Sequence, residues 1–174
     1  MGLQIRLATA SDAPAIAEIH VRCWQFAYRG IVPDTVLDSL SMSAHEQLWR
    51  HTLELPSTAS SLWVAEEGGR ALGFCATGGS EDDDATPETG EVGAIYLRPD
   101  RIGAGVGQAL FGQAVNDLRE RGFRRATLWV FRDNERARRF YETAGWRPDG
   151  METSKARGGA DLLEMRYSCS LSDI

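Results

Sequence analysis

The sequence predicts a mixed α/β (α+β) fold, and three observations carry that prediction. Apolar residues recur first at helical spacing, then alternate through a hairpin. They then run as strand, glycine loop, helix, strand, helix and two closing strands. The 174 residues, 43% hydrophobic and 25% charged, suffice for one compact core. No internal repeat or linker is visible, so residues 1–174 read as a single domain.

The elements follow in chain order. Gln4 to Ala8 alternates and reads as a short strand, and Thr9-Ala10-Ser11-Asp12 supplies good helix-capping side chains. The following helix carries Ile16, Ile19, Cys23 and Phe26 as its apolar face, with Trp24 and Tyr28 beside it, until Gly30 and Pro33 break it. A second short helix is expected over Asp34 to Leu40. A third begins at Ser43, where Ser43-Ala44-His45-Glu46 matches a capping box, and ends by Pro56.

Ser61 to Glu66 and Ala71 to Thr77 are β-prone and flank the turn Glu67-Gly68-Gly69-Arg70, so they read as a hairpin. The acidic stretch 78-GGSEDDDATPETG-90 reads as a solvated loop. Glu91 to Leu97 is the next strand, and Gly93 inside it marks a bulge or a close backbone approach.

Pro99 ends that strand, and the loop 98-RPDRIGAGVG-107 opens a helix over Val106 to Arg121. Val106, Leu110, Ala114 and Leu118 form its inward face, and Gly122 stops it. Ala126 to Phe131 is a strand. Asp133 or Asn134 caps a last helix bearing Ala137, Phe140, Tyr141 and Ala144, closed by Gly145. Strands at Asp149 to Lys155 and Leu162 to Ser168, joined by Arg157-Gly158-Gly159, complete the chain.

Composition narrows the chemistry. A net charge of −6 argues against general nucleic-acid binding. No apolar run is long enough to cross a bilayer, and MGLQIRLATASD lacks the plan of a secretory signal, so a cytoplasmic protein without a membrane partner is expected. Cys23, Cys75 and Cys169 are odd in number and scattered, with no CxxC and no clustered histidines. They read as reduced, buried thiols, and no metal site is expected. Charge is unevenly spread: ten arginines (98, 101, 119, 121, 124, 125, 132, 136, 138, 139) face five acids (100, 117, 120, 133, 135) between Arg98 and Arg139. That positive segment also holds the glycine loop, which a bound anion would favour.

A strand, a glycine loop and a helix make a general anion site, because the free N–H groups of the first helical turn and the macrodipole point at the loop. Two nucleotide loops are excluded by spelling. No Gly-Lys pair exists for a P-loop. The dinucleotide fingerprint GxGxxG fails because Gln108 and Leu110 stand where its last glycine belongs.

The order Glu91, Ile95-Tyr96-Leu97, Pro99, Gly103-Ala104-Gly105-Val106-Gly107, then Asn134, Ala137, Phe140-Tyr141 and Gly145-Trp146 strongly resembles the GNAT (GCN5-related) N-acetyltransferase superfamily. There the pattern is a strand, a loop Q/R-x-x-G-x-G/A, a helix, a strand, and a helix reading N-x-x-A-x-x-f-Y-x-x-x-G-F. The detailed likeness covers Glu91 to Trp146, and residues 19–41 with Trp49 extend it toward the whole chain. One departure stands out: Ile102 occupies the position usually held by Gln or Arg.

The resemblance implies a mostly antiparallel, mixed twisted sheet, splayed at a bulge and flanked by helices, with acetyl-CoA as acyl donor and no metal. It implies that the amides of Gly103, Ala104, Gly105, Val106, Gly107 and Gln108 wrap the pyrophosphate. The main chain of Ile95, Tyr96 and Leu97 then pairs with the pantetheine arm, an amide near Leu97 polarises the acetyl carbonyl, and Asn134 contacts the arm. A primary amine attacks directly, with Glu91 as base through water and Tyr141 as acid to the departing thiolate; Tyr141 is also counted among the cofactor contacts. Without that role, Glu91 is a strand-edge carboxylate, Tyr141 a buried aromatic and Asn134 a helix cap.

The acceptor, a small-molecule or peptide amine, is expected between the first helices and the segment Thr153 to Asp161, with Trp24 and Tyr28 foremost and Phe26 and Trp49 further candidates. Family habit makes a homodimer plausible. The rival from another class is a non-catalytic acyl-CoA-binding or sensing protein of the same fold.

Overall fold

A computed structural model describes residues 2–55 and 59–172. The strands are β1 (Gln4–Leu7), β2 (Ser60–Glu67), β3 (Arg70–Gly79), β4 (Thr89–Leu97), β5 (Arg125–Phe131), β6 (Arg147–Arg157) and β7 (Ala160–Ser170). The helices are α1 (Ala13–Ala27), α2 (Asp34–Asp38), α3 (Met42–Glu54), α4 (Val106–Glu120) and α5 (Glu135–Thr143). Single 3-10 turns at Ala10–Asp12 and Pro99–Arg101 precede α1 and α4. The strands form one sheet in the order β1-β2-β3-β4-β5-β7-β6, antiparallel throughout except where β4 meets β5.

Alternation along the central strands assigns each residue to one of two apolar layers. Val64 and Phe74 face Ile16 and Ile19 of α1, while their neighbours Ala65 and Cys75 face Leu110, Ala114 and Leu118 of α4. The predicted inward face of α4 is buried as the pattern requires, with Val106 at 4% exposure and the other three residues at 0%. Tyr141 of α5 and Trp146 pack into the α4 layer. Val32 and Leu37, from the α2 region, cover Phe131 and Leu162 on the other side. Cys23 and Cys75 are buried, whereas Cys169 is only half-buried.

The bulge falls at Gly93. Ala76 pairs with Ala94 and Thr77 with Val92, so Gly93 is the extra residue. Apart from its chain neighbours, no atom of the described residues lies within 4 Å of where its Cβ would be, so the glycine marks a bulge and not a close approach of another strand. Beyond that point the sheet opens. β4 and β5 pair in parallel only over Thr89–Glu91 and Arg125–Thr127; beyond that β4 runs to Leu97 paired only with β3, and β5 to Phe131 paired only with β7.

Gly73 holds β3 against this open strand. A Cβ there would strike Leu97 Cδ2 and come within 2.9 Å of the Tyr96 carbonyl oxygen. We expect Gly73→Ala to cost about 1–3 kcal/mol, as overpacking of a filled core does, read as a shifted urea midpoint at constant m-value. An unshifted midpoint would show that β4 yields freely.

Several expectations are corrected. Phe26 is 49% exposed and lies beneath the Arg136 guanidinium, 5.2 Å from it, instead of joining the α1 core face. Ser41, not Ser43, caps α3, accepting from the Ala44 amide at 3.2 Å, and Glu46 pairs with Arg50 at 2.7 Å. The expected stop at Pro56 lies outside the described residues. The acidic stretch is tied down and not freely solvated. Buried Arg166 donates from β7 to Asp82 at 3.0 Å and to both oxygens of Asp84 at 2.6 and 2.7 Å, and the Trp129 indole donates to Asp82 at 3.0 Å. Among the described residues no helix is long and apolar enough to cross a membrane, and no group of three metal-ligating side chains occurs.

Candidate active site

The glycine loop is built for backbone access. Gly103 (φ +85°) and Gly105 (φ +81°) take left-handed conformations that L side chains rarely adopt, and the space beside each is open. Gly105 is the N-cap of α4 and brings no side chain to cap it. The amides of Val106, Gly107 and Gln108 therefore have no protein acceptor among the described residues, which leaves orphan donors at the positive end of a 15-residue helix.

Gly107 has another task. A Cβ there would lie 2.9 Å from Leu97 Cδ1, so its absence lets α4 close on β4. Ile102, 37% exposed, faces the same opening, while Arg101 turns away toward Glu67 at 3.5 Å.

The arginine-rich segment is largely neutralised locally. Arg98, Arg101, Arg121, Arg124, Arg125, Arg132 and Arg139 each pair with an acid. Arg119 reaches the Leu171 carbonyl, and Arg138 the Tyr167 hydroxyl. Arg136 makes no hydrogen bond or ion pair among the described residues, and it faces the opening.

That opening is a cleft of about 740 Å³ between the unpaired parts of β4 and β5. β4 contributes Glu91, Ile95, Tyr96 and Leu97, the loop contributes Gly103, Gly105, Gly107 and Gln108, and α5 with its cap contributes Asn134 and Tyr141. Trp24 of α1 and Tyr28, its C-cap residue, close one side. Ala104 does not line the cleft, and Val106 turns its side chain into the core, so both could contribute there only through backbone groups. Phe26 and Trp49 lie outside it. Trp49 instead donates to His20 Nδ1 at 3.2 Å in an aromatic cluster, where burial pushes the His20 pKa down to about 4.

The side chains in the cleft have distinct environments. Burial raises the Glu91 carboxyl above its ordinary value, and the negative charges of Asp82 and Glu81 add to that, against an opposing pull from Lys155. Tyr141 is 8% exposed and held by the rings of Phe111 and Phe140; burial, then the nearby Cys75, Tyr96 and Cys23, push its pKa far up. Its hydroxyl makes no hydrogen bond among the described residues. Asn134 caps α5, its Oδ1 accepting from the Ala137 amide at 3.2 Å, which leaves the Nδ2 donors. The Leu97 amide faces the Cys23 thiol, a weak acceptor.

Trp129 and Glu164 are among the lining residues that the sequence reading did not name for the site, while Lys155 and Arg157 fall within the segment Thr153 to Asp161 that it assigned to the acceptor. Trp129 sits on β5 beside the acidic loop. Lys155, Arg157 and Glu164 come from the β6–β7 hairpin, where Lys155 Nζ meets Glu164 Oε2 at 2.7 Å. The available signal was the two-residue spacing of Lys155 and Arg157, which puts both on one face of a strand.

Comparison with known proteins agrees with this geometry. The family model described as the acetyltransferase (GNAT) family matches residues 14–146. A protein of Mycobacterium tuberculosis described as a probable N-acetyltransferase is 28% identical over 169 residues, covering 95% of this chain and 92% of its own. An uncharacterised N-acetyltransferase of Archaeoglobus fulgidus is 37% identical over 142 residues, covering 80% and 89%. The yncA structure of Salmonella typhimurium, solved with its cofactor acetyl-CoA, superposes with a TM-score of 0.76 at 20% identity, covering 100% of this chain and 96% of its own. A family match across most of the chain, with relatives spanning nearly its full length, establishes that this protein belongs to the acetyltransferase (GNAT) family of enzymes.

Proposed function

We propose that residues 1–174 form one N-acetyltransferase domain that moves the acetyl group of acetyl-CoA to a primary amine by direct attack. The observation that carries this reading is the juxtaposition in one cleft of an unpaired strand edge, an uncapped helix N-terminus and two proton-transfer groups of opposite kind. The residues present fit the donor: orphan amides at Val106 to Gln108 suit a pyrophosphate, and the free edge of Ile95 to Leu97 suits an amide-bearing arm. Bound acetyl-CoA supplies the activated thioester.

The chain's own groups then divide the work. The backbone of β4 fixes the thioester carbonyl, and the Leu97 amide donates to its oxygen. Glu91, lifted toward neutrality, takes the ammonium proton through water. A base is most effective when its pKa approaches the working pH. Tyr141 is protonated at working pH and stands in the cleft with a proton for the departing thiolate, while the burial that raises its pKa makes it a weaker acid than a free tyrosine. Ile102 does not alter this reading, since amide donation around an anion is independent of the side chain.

Tyr141→Phe tests the assignment. Release of CoA thiol, followed with a panel of amines, is expected to fall about 100-fold in kcat, while KM for acetyl-CoA changes far less. An unchanged kcat would remove Tyr141 from the acid role. Acetyl-CoA binding without thiol release for any amine would point to a sensing protein.

A further inference from the structure

We propose that the acceptor is a small amine carrying its own carboxylate, an apolar amino acid or close analogue, with its ammonium toward Glu91 and its carboxylate on Arg157. This deepens the acetyl-transfer reading and rests on it. The argument starts from charge in the acceptor half of the cleft. Lys155 Nζ forms an ion pair with Glu164 Oε2 at 2.7 Å, Glu135 is held by Arg139 at 3.0 Å, and Asp82 and Asp84 are occupied by Arg166. Once those pairs are set aside, Glu91 and two arginines remain: Arg136, whose guanidinium lies over the Phe26 ring, and Arg157. No ion pair or hydrogen bond engages Arg157 among the described residues.

Arg157 is placed, not trailing. Its guanidinium lies over the Trp24 ring, 5.4 Å from the centroid. The turn behind it is seated on α2, because a Cβ on Gly158 would collide with Val36 Cγ2 and lie 3.6 Å from Pro33. A guanidinium held over a ring can still present an N–H edge to a carboxylate, which it receives in two parallel bonds. Lys155 and Arg157 share one face of β6, roughly 6.6 Å apart along the strand, and Glu91 feels Lys155 directly. Glu91, Lys155 and Arg157 all line the one cleft, so a single ligand held there meets a group of each charge.

Ile31, Tyr28 and Phe131 supply an apolar wall between these charges. A polyamine would set its second ammonium against Arg157, and a peptide amino terminus would offer that arginine no adjacent carboxylate.

The test pairs acids with neutral analogues: L-leucine, L-methionine and L-phenylalanine against their C-terminal amides, with putrescine and an N-terminally free tetrapeptide amide as other classes. Using the whole chain and acetyl-CoA, kcat/KM for an acid is expected to exceed that for its amide by about tenfold or more, the range for charge-assisted bonds to a guanidinium. Arg157→Gln should collapse that ratio to near one and Arg157→Lys restore part of it, while Arg124→Gln, remote and exposed, keeps it. Preference for an amide, putrescine or the tetrapeptide, or a ratio that survives Arg157→Gln, overturns the proposal.

Calorimetry on the CoA-saturated protein separates the two readings. Acids that bind in an Arg157-dependent way without being acetylated support the acceptor site and sink acetyl transfer. Thiol release with other amines, but no binding of acids, does the reverse.

Discussion

Replacing Glu91 by glutamine lowers kcat for amine acetylation by about 100-fold, the smaller end of what general acid–base groups supply. It also flattens the acid limb of the pH–rate profile. The sign follows from the environment: burial and the neighbouring Asp82 and Glu81 raise the carboxyl, so in the wild type base-catalysed turnover grows as pH rises through that elevated value. Glutamine keeps the shape and hydrogen-bonding reach of the side chain but cannot take a proton. Binding of acetyl-CoA, measured by calorimetry, should change little, because the glycine loop and the β4 edge lie on other parts of the cleft wall. If Glu91→Gln leaves both kcat and the profile unaltered, the amine loses its proton to another group or to solvent.

The second large effect is on stability. Arg166→Ala is expected to cost about 3 kcal/mol or more, because it leaves carboxylates in a partly dry site without their counter-charge. Arg166 is 3% exposed and bonds Asp82, Asp84 and Asp149, at 2.8 Å in the last case, with its guanidinium 5.8 Å from the Trp129 ring centroid. Urea denaturation measures the loss. A value under about 1 kcal/mol would mean that Arg125, which already meets Asp149 at 2.7 Å, and solvent satisfy the acids without it.

The pH dependence has a definite direction. Arg166 holds Asp84 down to about pKa 2, so the wild type has this contribution above the ordinary carboxylate value and loses it as pH falls toward 2. The variant lacks that acid-sensitive part. Because Asp82 and Asp84 anchor the loop beside Glu91, the same substitution should also reduce turnover at temperatures where the protein remains folded.

What the sequence discloses about this fold is what local spacing can encode. The inward stripe of α4, the bulge at Gly93 and the turning glycines were legible because each depends on a few neighbouring residues. Phe26 was misread by the same logic. At about 100° per residue it lies roughly 80° round the helix from Ile16, the margin of the apolar stripe, where contact with Arg136 decides its place.

The acidic loop was misread for a different reason. Nothing within 78–90 announces a partner 82 residues away in Arg166. The site shows the same division. The family pattern named Glu91 and Tyr141 and brought the segment Thr153 to Asp161 to the acceptor, and the fold places both groups in one cleft, but which side chains of the hairpin face it, Lys155, Arg157 and Glu164, became visible only through the β6–β7 register.

The opening between β4 and β5 also bears on solubility. A sheet ordinarily has two edges to protect from pairing with other chains, and here the outer ones are modest: β1 has four residues, and β6 carries Pro148, Lys155 and Arg157. The gap creates two further edges in the sheet's interior, with no such gatekeepers on the β4 side. Their protection is positional. α1, α5 and the hairpin all line the gap, so a strand from another molecule would have to displace them to lie beside its bare edges. Enlarging that gap, for example by trimming Trp24 or Tyr28, would therefore trade selectivity among ligands for a tendency to self-associate.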